Sequence, residues 1–160
     1  MWKPVEEIIA EFRKAEGAGA TMCAVVMGYI CLDTMAYLSM PAGREQNTRA
    51  DFIAFVDTYL KAHKDQPYQY RGIDIYAARC AVFHQYGSEA EMHRNDPGIK
   101  TFGYNDGGRH SFNPDVSNNL VLIGTASLID DIESAVGDYA KACLVDTSLR
   151  KWLRSDCRVC

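Results

Sequence analysis

The sequence has no excess of positive charge. Its 160 residues include 17 Lys and Arg against 21 Asp and Glu, which gives a formal net charge of −4 and an isoelectric point near 5.5. Nucleic-acid-binding domains are usually basic, so this balance excludes one that binds through its overall charge. A contact with RNA would need a local patch, such as the basic residues near the C-terminus: Arg150, Lys151, Arg154 and Arg158.

The cysteines do not form the dense framework of a small secreted domain. Four of the six lie in apolar helical patterns, where free cysteine acts as a small hydrophobe: Cys23, Cys31, Cys80 and Cys143. The other two form a lone CxxC pair, Cys157 and Cys160, without the four ligands that a zinc site needs. The N-terminus lacks the basic and then apolar run of a signal peptide. These features predict a cytoplasmic, reducing setting.

Motifs of cofactor and metal chemistry are also missing. There is no glycine-rich phosphate-binding loop and no serine-hydrolase elbow. His93 and His110 have Asp96 and Asp106 nearby, but no spacing demands a metal, and we expect these four to be solvated loop residues. The sequence therefore predicts neither a cofactor nor a bound metal.

One segment has the length of a membrane span. Residues 21–40 are almost continuously apolar, and about 20 such residues cross a bilayer. However, Asp33 lies within the segment and no basic cluster flanks it. We therefore expect a central helix that is buried on most sides of a helical bundle, and no membrane partner.

Helical patterns account for most of the chain. A first helix is expected from Pro4 to Glu16, followed by the apolar helix described above. Thr48 and Asp51 resemble a capping box at the start of a third helix. A fourth helix is expected to begin after Arg71-Gly72 and to end before Gly87, a natural C-terminal cap.

Residues 95–119 break this pattern. Their two prolines and four glycines exclude a long helix. Residues 101–104 and 109–112 flank the turn sequence of residues 105–108, which predicts a β-hairpin. Residues 120–123 are a short apolar run that could add a third strand.

The last helix completes the expected fold. Thr125 resembles an N-cap, and apolar residues spaced three or four apart predict an amphipathic helix as far as Val145. The expected fold class is mainly α: a four- to five-helix bundle with a small β-hairpin insertion near residues 100–123. Residues 1–147 would form a single domain, and residues 148–160 a basic C-terminal tail or short helix.

The most informative pattern is an arginine and a histidine on the fourth helix. Arg79 and His84 lie in the segment YAARCAVFHQYG, residues 76–87. A histidine moves protons near neutral pH, and an arginine can hold a phosphate. Residues five apart on a helix diverge by about 140°, so the two side chains of one chain point in different directions. Two chains packed together could bring both pairs to one cleft.

Arg-x4-His on an apolar helix, just before a glycine, resembles the motif of the HEPN superfamily, and the helix order is similar over roughly residues 5–145. The resemblance implies a homodimeric all-α domain that acts on RNA. It further implies a metal-independent endoribonuclease, in which His84 assists attack of a ribose 2′-hydroxyl on the adjacent phosphate. Arg79 would hold that phosphate, and a 2′,3′-cyclic phosphate would result.

A non-catalytic role is the alternative. In active family members the residue after the arginine is usually polar, whereas here it is Cys80. This difference favours a dimeric interaction module with an RNA-related role. Arg79 would then neutralise a buried carboxylate, and Asp33 in the central helix is the candidate.

Arg-x4-His-x-Tyr is also similar to toxins found beside nucleotidyltransferase antitoxins, in which that tyrosine is adenylylated. This resemblance implies that Tyr86 is a modification site and that a nucleotidyltransferase is a partner. The alternative is a tyrosine in the core or at its rim, near the helix end.

Overall fold

The computed structural model describes residues 2–41, 43–60, 70–85, 87 and 89–146. The predicted tail at residues 148–160, with its CxxC pair, and Tyr86 lie outside the described residues. The elements in chain order are α1 (Lys3–Gly17), α2 (Thr21–Ser39), α3 (Arg49–Tyr59), α4 (Gly72–Gln85), α5 (Glu91–Asn95), β1 (Thr101–Asn105), β2 (Leu120–Gly124) and α6 (Thr125–Val145). The chain is thus mainly helical, as predicted, with six helices in the described ranges rather than four or five.

The apolar helix α2 packs against α1, α3 and α6 and forms the centre of the bundle. Nine of its 19 residues are buried. α2 is thus a central helix, as predicted, and apart from the exposed Cys23 its other residues are half-buried and lie along one side. Of the helices described, only α2 has the length and hydropathy of a membrane span, and half of that stretch is buried inside the bundle.

Local sequence signals place the helix ends. The predicted capping box is present: the Thr48 hydroxyl accepts from the Asp51 amide, and the Asp51 carboxylate accepts from the Thr48 amide at 2.7 Å. Hydrogen bonds from Arg44 and Thr48 lower the pKa of Asp51 to about 2. At α6 the prediction is off by one residue, because Gly124 is the N-cap and Thr125 is the first helical residue.

The predicted β-hairpin is wrong. β1 pairs with β2 instead, and the two strands are parallel, with Thr101 opposite Leu120 and Asn105 opposite Gly124. Residues 109–112 touch the other edge of β2, where Ser111 exchanges both backbone hydrogen bonds with Leu122 in an antiparallel bridge. The chain after β1 therefore crosses over β2 rather than turning back along β1.

The turn sequence does not close a hairpin because its backbone groups bond to the start of α6. The Gly107 amide donates to the Thr125 hydroxyl at 2.8 Å, and the Gly108 carbonyl accepts from the Ser127 amide at 3.4 Å. The second bond satisfies one of the N–H groups that a helix N-terminus leaves without an intrahelical partner. The turn thus caps α6.

The short helix α5 was not expected from the sequence, and a histidine holds its N-terminus. Nδ1 of His93 accepts from the Ala90 amide at 2.9 Å, and Nε2 lies 3.1 Å from the Lys100 carbonyl. A carbonyl only accepts, so Nε2 is the donor in this contact and Nδ1 the acceptor in the other. His93 is therefore a half-buried cap, and the expectation of a solvated loop residue is wrong for it.

Two glycines test the close packing of the turn on α6. A Cβ atom at Gly124 would overlap the Gly108 carbonyl, whereas a Cβ atom at Gly137, inside α6, would meet nothing within 4 Å. We expect Gly124→Ala to lower the free energy of unfolding by about 1–3 kcal/mol through overpacking. Gly137→Ala should raise it by about 0.5–1 kcal/mol, the usual helix-interior gain. Urea denaturation of both variants checks this, and equal effects would contradict the packing described.

Candidate functional site

The Arg-His pair lies on a regular helix, as predicted. α4 begins close to α3, where the Gly72 amide donates to the Asp57 carboxylate at 2.6 Å. Beyond its last turn, the Gly87 amide donates to the Ala81 carbonyl at 3.3 Å. Between these ends Arg79 is in the middle of the helix and His84 is in the last turn.

Arg79 forms an ion pair with Asp33, the partner named from the sequence. Its Nε and Nη2 both donate to Oδ2 of Asp33, at 3.0 and 2.8 Å. The Arg79 side chain is 25% exposed and the Asp33 side chain 30% exposed, so the carboxylate is only partly buried. Burial lowers the pKa of Arg79, but the hydrogen bonds and charge of Asp33 outweigh it and leave that pKa raised.

Aromatic rings border this ion pair. The Arg79 guanidinium lies 4.8 Å from the centre of the Phe83 ring, which is itself 39% exposed. On the other side, Phe83 contacts Tyr29 of α2, with ring centres 6.5 Å apart. A cation over an aromatic face is attracted by the ring quadrupole. Arg79 is thus held from two directions, by Asp33 and by Phe83.

The structure does not bring Arg79 and His84 together within one chain. His84 is exposed, while Arg79 is turned towards α2. This follows from the regular helix, since five residues correspond to about 140° of rotation. The two side chains mark opposite edges of the same helix surface, with Phe83 between them.

Side chains of α2 and α4 form one continuous, half-exposed surface, which we call the α2–α4 face. The ion pair and the contact between Tyr29 and Phe83 join its two halves. The α2 half consists of Val26, Met27, Ile30, Asp33, Thr34 and Tyr37, and the α4 half of Ile73, Tyr76, Arg79, Cys80, Phe83 and His84. Most of these residues are apolar, and Asp33 and Arg79 are paired with each other.

A second polar cluster, which the sequence analysis missed, is sealed inside the fold. Asp131 of α6 is 1% exposed, and its Oδ2 accepts from the Tyr70 hydroxyl at 3.0 Å. The same oxygen lies 3.0 Å from Nε2 of His110, whose Nδ1 accepts from the Gly124 amide. His110 is 3% exposed, so the expectation of a solvated loop residue is wrong here too.

Helical spacing could have indicated Asp131. Leu128 and Ala135, three residues before and four after it, are both buried, and such neighbours share a helix face. Both ring nitrogens of His110 are used within the cluster, which ties the crossing loop to α6. Within the described residues, no group of three or more His, Cys, Asp and Glu side chains could hold a metal ion.

Asp74 is a second buried carboxylate, and it anchors the start of α4. It is fully buried and accepts from the backbone amides of Arg71 and Lys100, at 2.8 and 3.1 Å. The Arg71 guanidinium also donates to both of its oxygens. These bonds tie α4 to the chain that enters β1. Because Arg71 has this structural role, Arg79 is the arginine that we consider as a functional candidate.

Comparison with known proteins adds no family assignment. No protein-family model, no curated protein and no solved structure matches this chain. The resemblance to HEPN proteins therefore rests on Arg79, His84 and the order of the helices, and it enters the function below as a proposal.

The Arg79–Asp33 ion pair and the buried cluster around Asp131 should differ in their contribution to stability. Asp131→Ala leaves two buried donors, on Tyr70 and His110, without their acceptor, and should cost about 2–5 kcal/mol of unfolding free energy. Arg79→Ala removes a partly exposed pair and should cost only about 1 kcal/mol. Chemical denaturation of both variants measures the difference. An Arg79→Ala cost equal to that of Asp131→Ala would contradict the relative burial reported above.

Proposed function

We propose that this chain is a HEPN-like helical module that forms a homodimer through the α2–α4 face. The observation that carries the proposal is the face itself: apolar side chains from two helices, half-exposed and contiguous. Removing such a surface from water is favourable, at roughly 25 cal/mol per Å². Contiguous apolar patches of this kind mark interaction sites in many proteins.

The charges on the face are compatible with burial in an interface. A charge that is buried without a partner opposes association strongly. Arg79 and Asp33 already neutralise each other within one chain, so a partner subunit can cover them without leaving either charge unpaired. A second copy also fits because a two-fold axis at this face would bring two Arg79–His84 pairs to one interface.

Phe83 is the best residue for a test of the dimer. Phe83→Glu places a charge at the centre of the face and should weaken the dimer about 30-fold or more, since a central aromatic anchor contributes ~2 kcal/mol or more. Leu122→Glu is the matched control, because Leu122 is 40% exposed, like Phe83, but lies on β2. Sedimentation at tens of micromolar (roughly the range in which such dimers persist) gives the association state. A monomeric wild-type chain would overturn the proposal.

A second candidate function is a metal-independent endoribonuclease. The observation that favours it is that both residues of the motif remain accessible: His84 is exposed, and a quarter of the Arg79 side-chain surface is open. In a dimer, His84 would move the proton of a ribose 2′-hydroxyl while Arg79 holds the phosphate. Cys80, the residue after Arg79, is half-buried.

RNA cleavage separates the two candidates. If the chain is a ribonuclease, activity should survive a chelator and leave a 2′,3′-cyclic phosphate. His84→Ala should then lower the rate by about 10² to 10⁴, the usual contribution of general acid–base catalysis, with an unchanged thermal melt. An RNA analogue without the attacking 2′-hydroxyl should stay intact. Equal residual activity in wild type and His84→Ala would identify a contaminant and leave the non-catalytic dimer.

The partner proposed for Tyr86, a nucleotidyltransferase that adenylylates it, remains a prediction from the sequence. Tyr86 lies two residues after His84 in the sequence, and adenylylation would add a phosphate to it. Mass spectrometry of the chain after co-expression with such an enzyme would detect the added nucleotide.

A further inference from the structure

A partly open cavity of about 300 Å³ lies between the C-terminal end of α2, helix α3 and helix α6. Its volume is at the lower end of the range for small-molecule sites, roughly 300–1,000 Å³. None of the residues described along its wall belongs to the α2–α4 face. The dimer and the ribonuclease proposed above therefore do not account for this cavity.

Three aromatic rings line the cavity: Phe55 and Tyr59 of α3, and Tyr139 of α6. Their centres lie 5.2, 5.4 and 5.9 Å from one another, which is the usual spacing of packed aromatic pairs. Phe55 and Tyr139 are also almost fully buried, so these rings are held in place by the core. This part of the wall is therefore formed in advance and suits the apolar body of a ligand.

Most hydroxyl groups of the wall already donate their proton to the backbone. Ser39, Thr58 and Tyr139 each donate to a backbone carbonyl, at 3.0, 2.6 and 2.8 Å. A hydroxyl has one proton and two lone pairs, so these three groups can only accept from a ligand, whereas the Tyr59 hydroxyl can donate or accept. The polar part of the wall therefore favours a ligand that carries several hydrogen-bond donors.

The helix ends at the cavity favour a positive charge. The backbone carbonyls at the C-terminal end of α2 carry a partial negative charge, and Ser39 and Met40 bring this end to the cavity. The last turn of α2 contains no basic residue that would offset it. The N-terminal end of α3 is also near the cavity, but Asp51 in its first turn offsets the partial positive charge there.

The charged side chains do not reverse this preference. Within the described part of the chain, no lysine or arginine lines the cavity, and Asp51 is the lining residue with a carboxylate. Hydrogen bonds from Arg44 and Thr48 lower the pKa of Asp51 to about 2, so it is ionised at neutral pH. Because Arg44 donates to both of its oxygens, Asp51 is already paired. The carbonyl end of α2 therefore remains as the group that a ligand cation would meet.

We propose that this cavity binds a small organic ammonium, which is a protonated primary amine with an aromatic or short alkyl body. The body would lie against the rings of Phe55, Tyr59 and Tyr139. The ammonium has three N–H donors and no acceptor, and it would donate to the hydroxyl oxygens and to the carbonyl end of α2. An anion, or a group that only accepts hydrogen bonds, does not match this wall.

The probe for this site is 2-phenylethylammonium. Methyl NMR of the full chain follows Met40, which lines the cavity, and Met27, which lies on the α2–α4 face and serves as the reference. We expect a saturable shift of the Met40 signal and none at Met27. The uncharged analogue 2-phenylethanol should bind about two- to fivefold more weakly, because it lacks the interaction of a cation with the helix end. The anion 3-phenylpropionate should bind more weakly still.

A cavity-filling substitution locates the bound amine. Ala54 lines the cavity at an exposed position of α3, so Ala54→Phe can fill the cavity without replacing a core residue, and the Met40 response should be lost. The matched control is Ala10→Phe, at an exposed position of α1 that is not among the described lining residues. It should keep the wild-type affinity. If Ala54→Phe does not fold, Thr58→Phe replaces it, since Thr58 is also exposed and lines the cavity.

Three results would overturn the proposal. Equal affinity for the ammonium, the alcohol and the carboxylate would show an apolar cavity without preference for charge. A Met40 shift that persists in the folded cavity-filling variant, or a shift of Met27 in place of Met40, would show that the amine binds elsewhere. The absence of a saturable Met40 shift would show that there is no site. A monomeric chain that does not cleave RNA leaves this test intact.

Discussion

The ion pair between Arg79 and Asp33 decides what the α2–α4 face can do. It joins the central helix to the helix that carries the Arg-His motif, and it cancels the two charges in the middle of an otherwise apolar surface. Without it, Arg79 would be a partly buried cation without a partner, which opposes both folding and association. With it, the face can be covered by a second copy of the chain.

The ion pair between Arg79 and Asp33 also limits where the side chains of the Arg-His motif can lie. Nε and Nη2 of Arg79 both donate to one oxygen of Asp33, which holds the guanidinium in place beside α2. The regular helix then sets His84 about 140° away from Arg79. One chain therefore presents Arg79 and His84 on two edges of a surface, and the proposed dimer is what would bring two such pairs to one cleft.

The insertion after α4 is held by buried carboxylates rather than by strand pairing. Asp131 binds Tyr70 and His110, and Asp74 binds Arg71 and the chain entering β1. A two-stranded sheet is marginal by itself in water. These polar contacts, together with the turn that caps α6, fix the crossing loop on the bundle.

Features that depend on neighbouring residues were predicted accurately from the sequence. Features that depend on contacts between distant residues were not. The Thr48–Asp51 capping box and the limits of α4 depend on neighbours in sequence, so the pattern alone located them. The hairpin prediction failed because the amides and carbonyls of its turn bond to α6, about 18 residues further on. His110 looked like a loop residue because its acceptor, Asp131, is 21 residues away.

The candidate site was predictable in part for the same reason. Arg79, His84 and the apolar character of α4 are visible in one short segment, and Asp33 was the acidic residue within the apolar run. The half-exposed stripe of α2 was not foreseen, because a uniformly apolar helix has no polar side in its sequence to mark the surface. Its exposure depends on how α1, α3 and α6 pack around it.

Hydroxyl-radical footprinting at two protein concentrations tests the central claim most directly, because it reports which side chains a second copy covers. When the protein concentration rises from below one micromolar to tens of micromolar (roughly the range that spans a micromolar dissociation constant), oxidation of Met27, Tyr37 and Phe83 should fall. Val116 and Leu144, which are exposed away from the face, should react equally at both concentrations. Unchanged oxidation of the α2–α4 face, or protection of Val116 instead, would contradict the account.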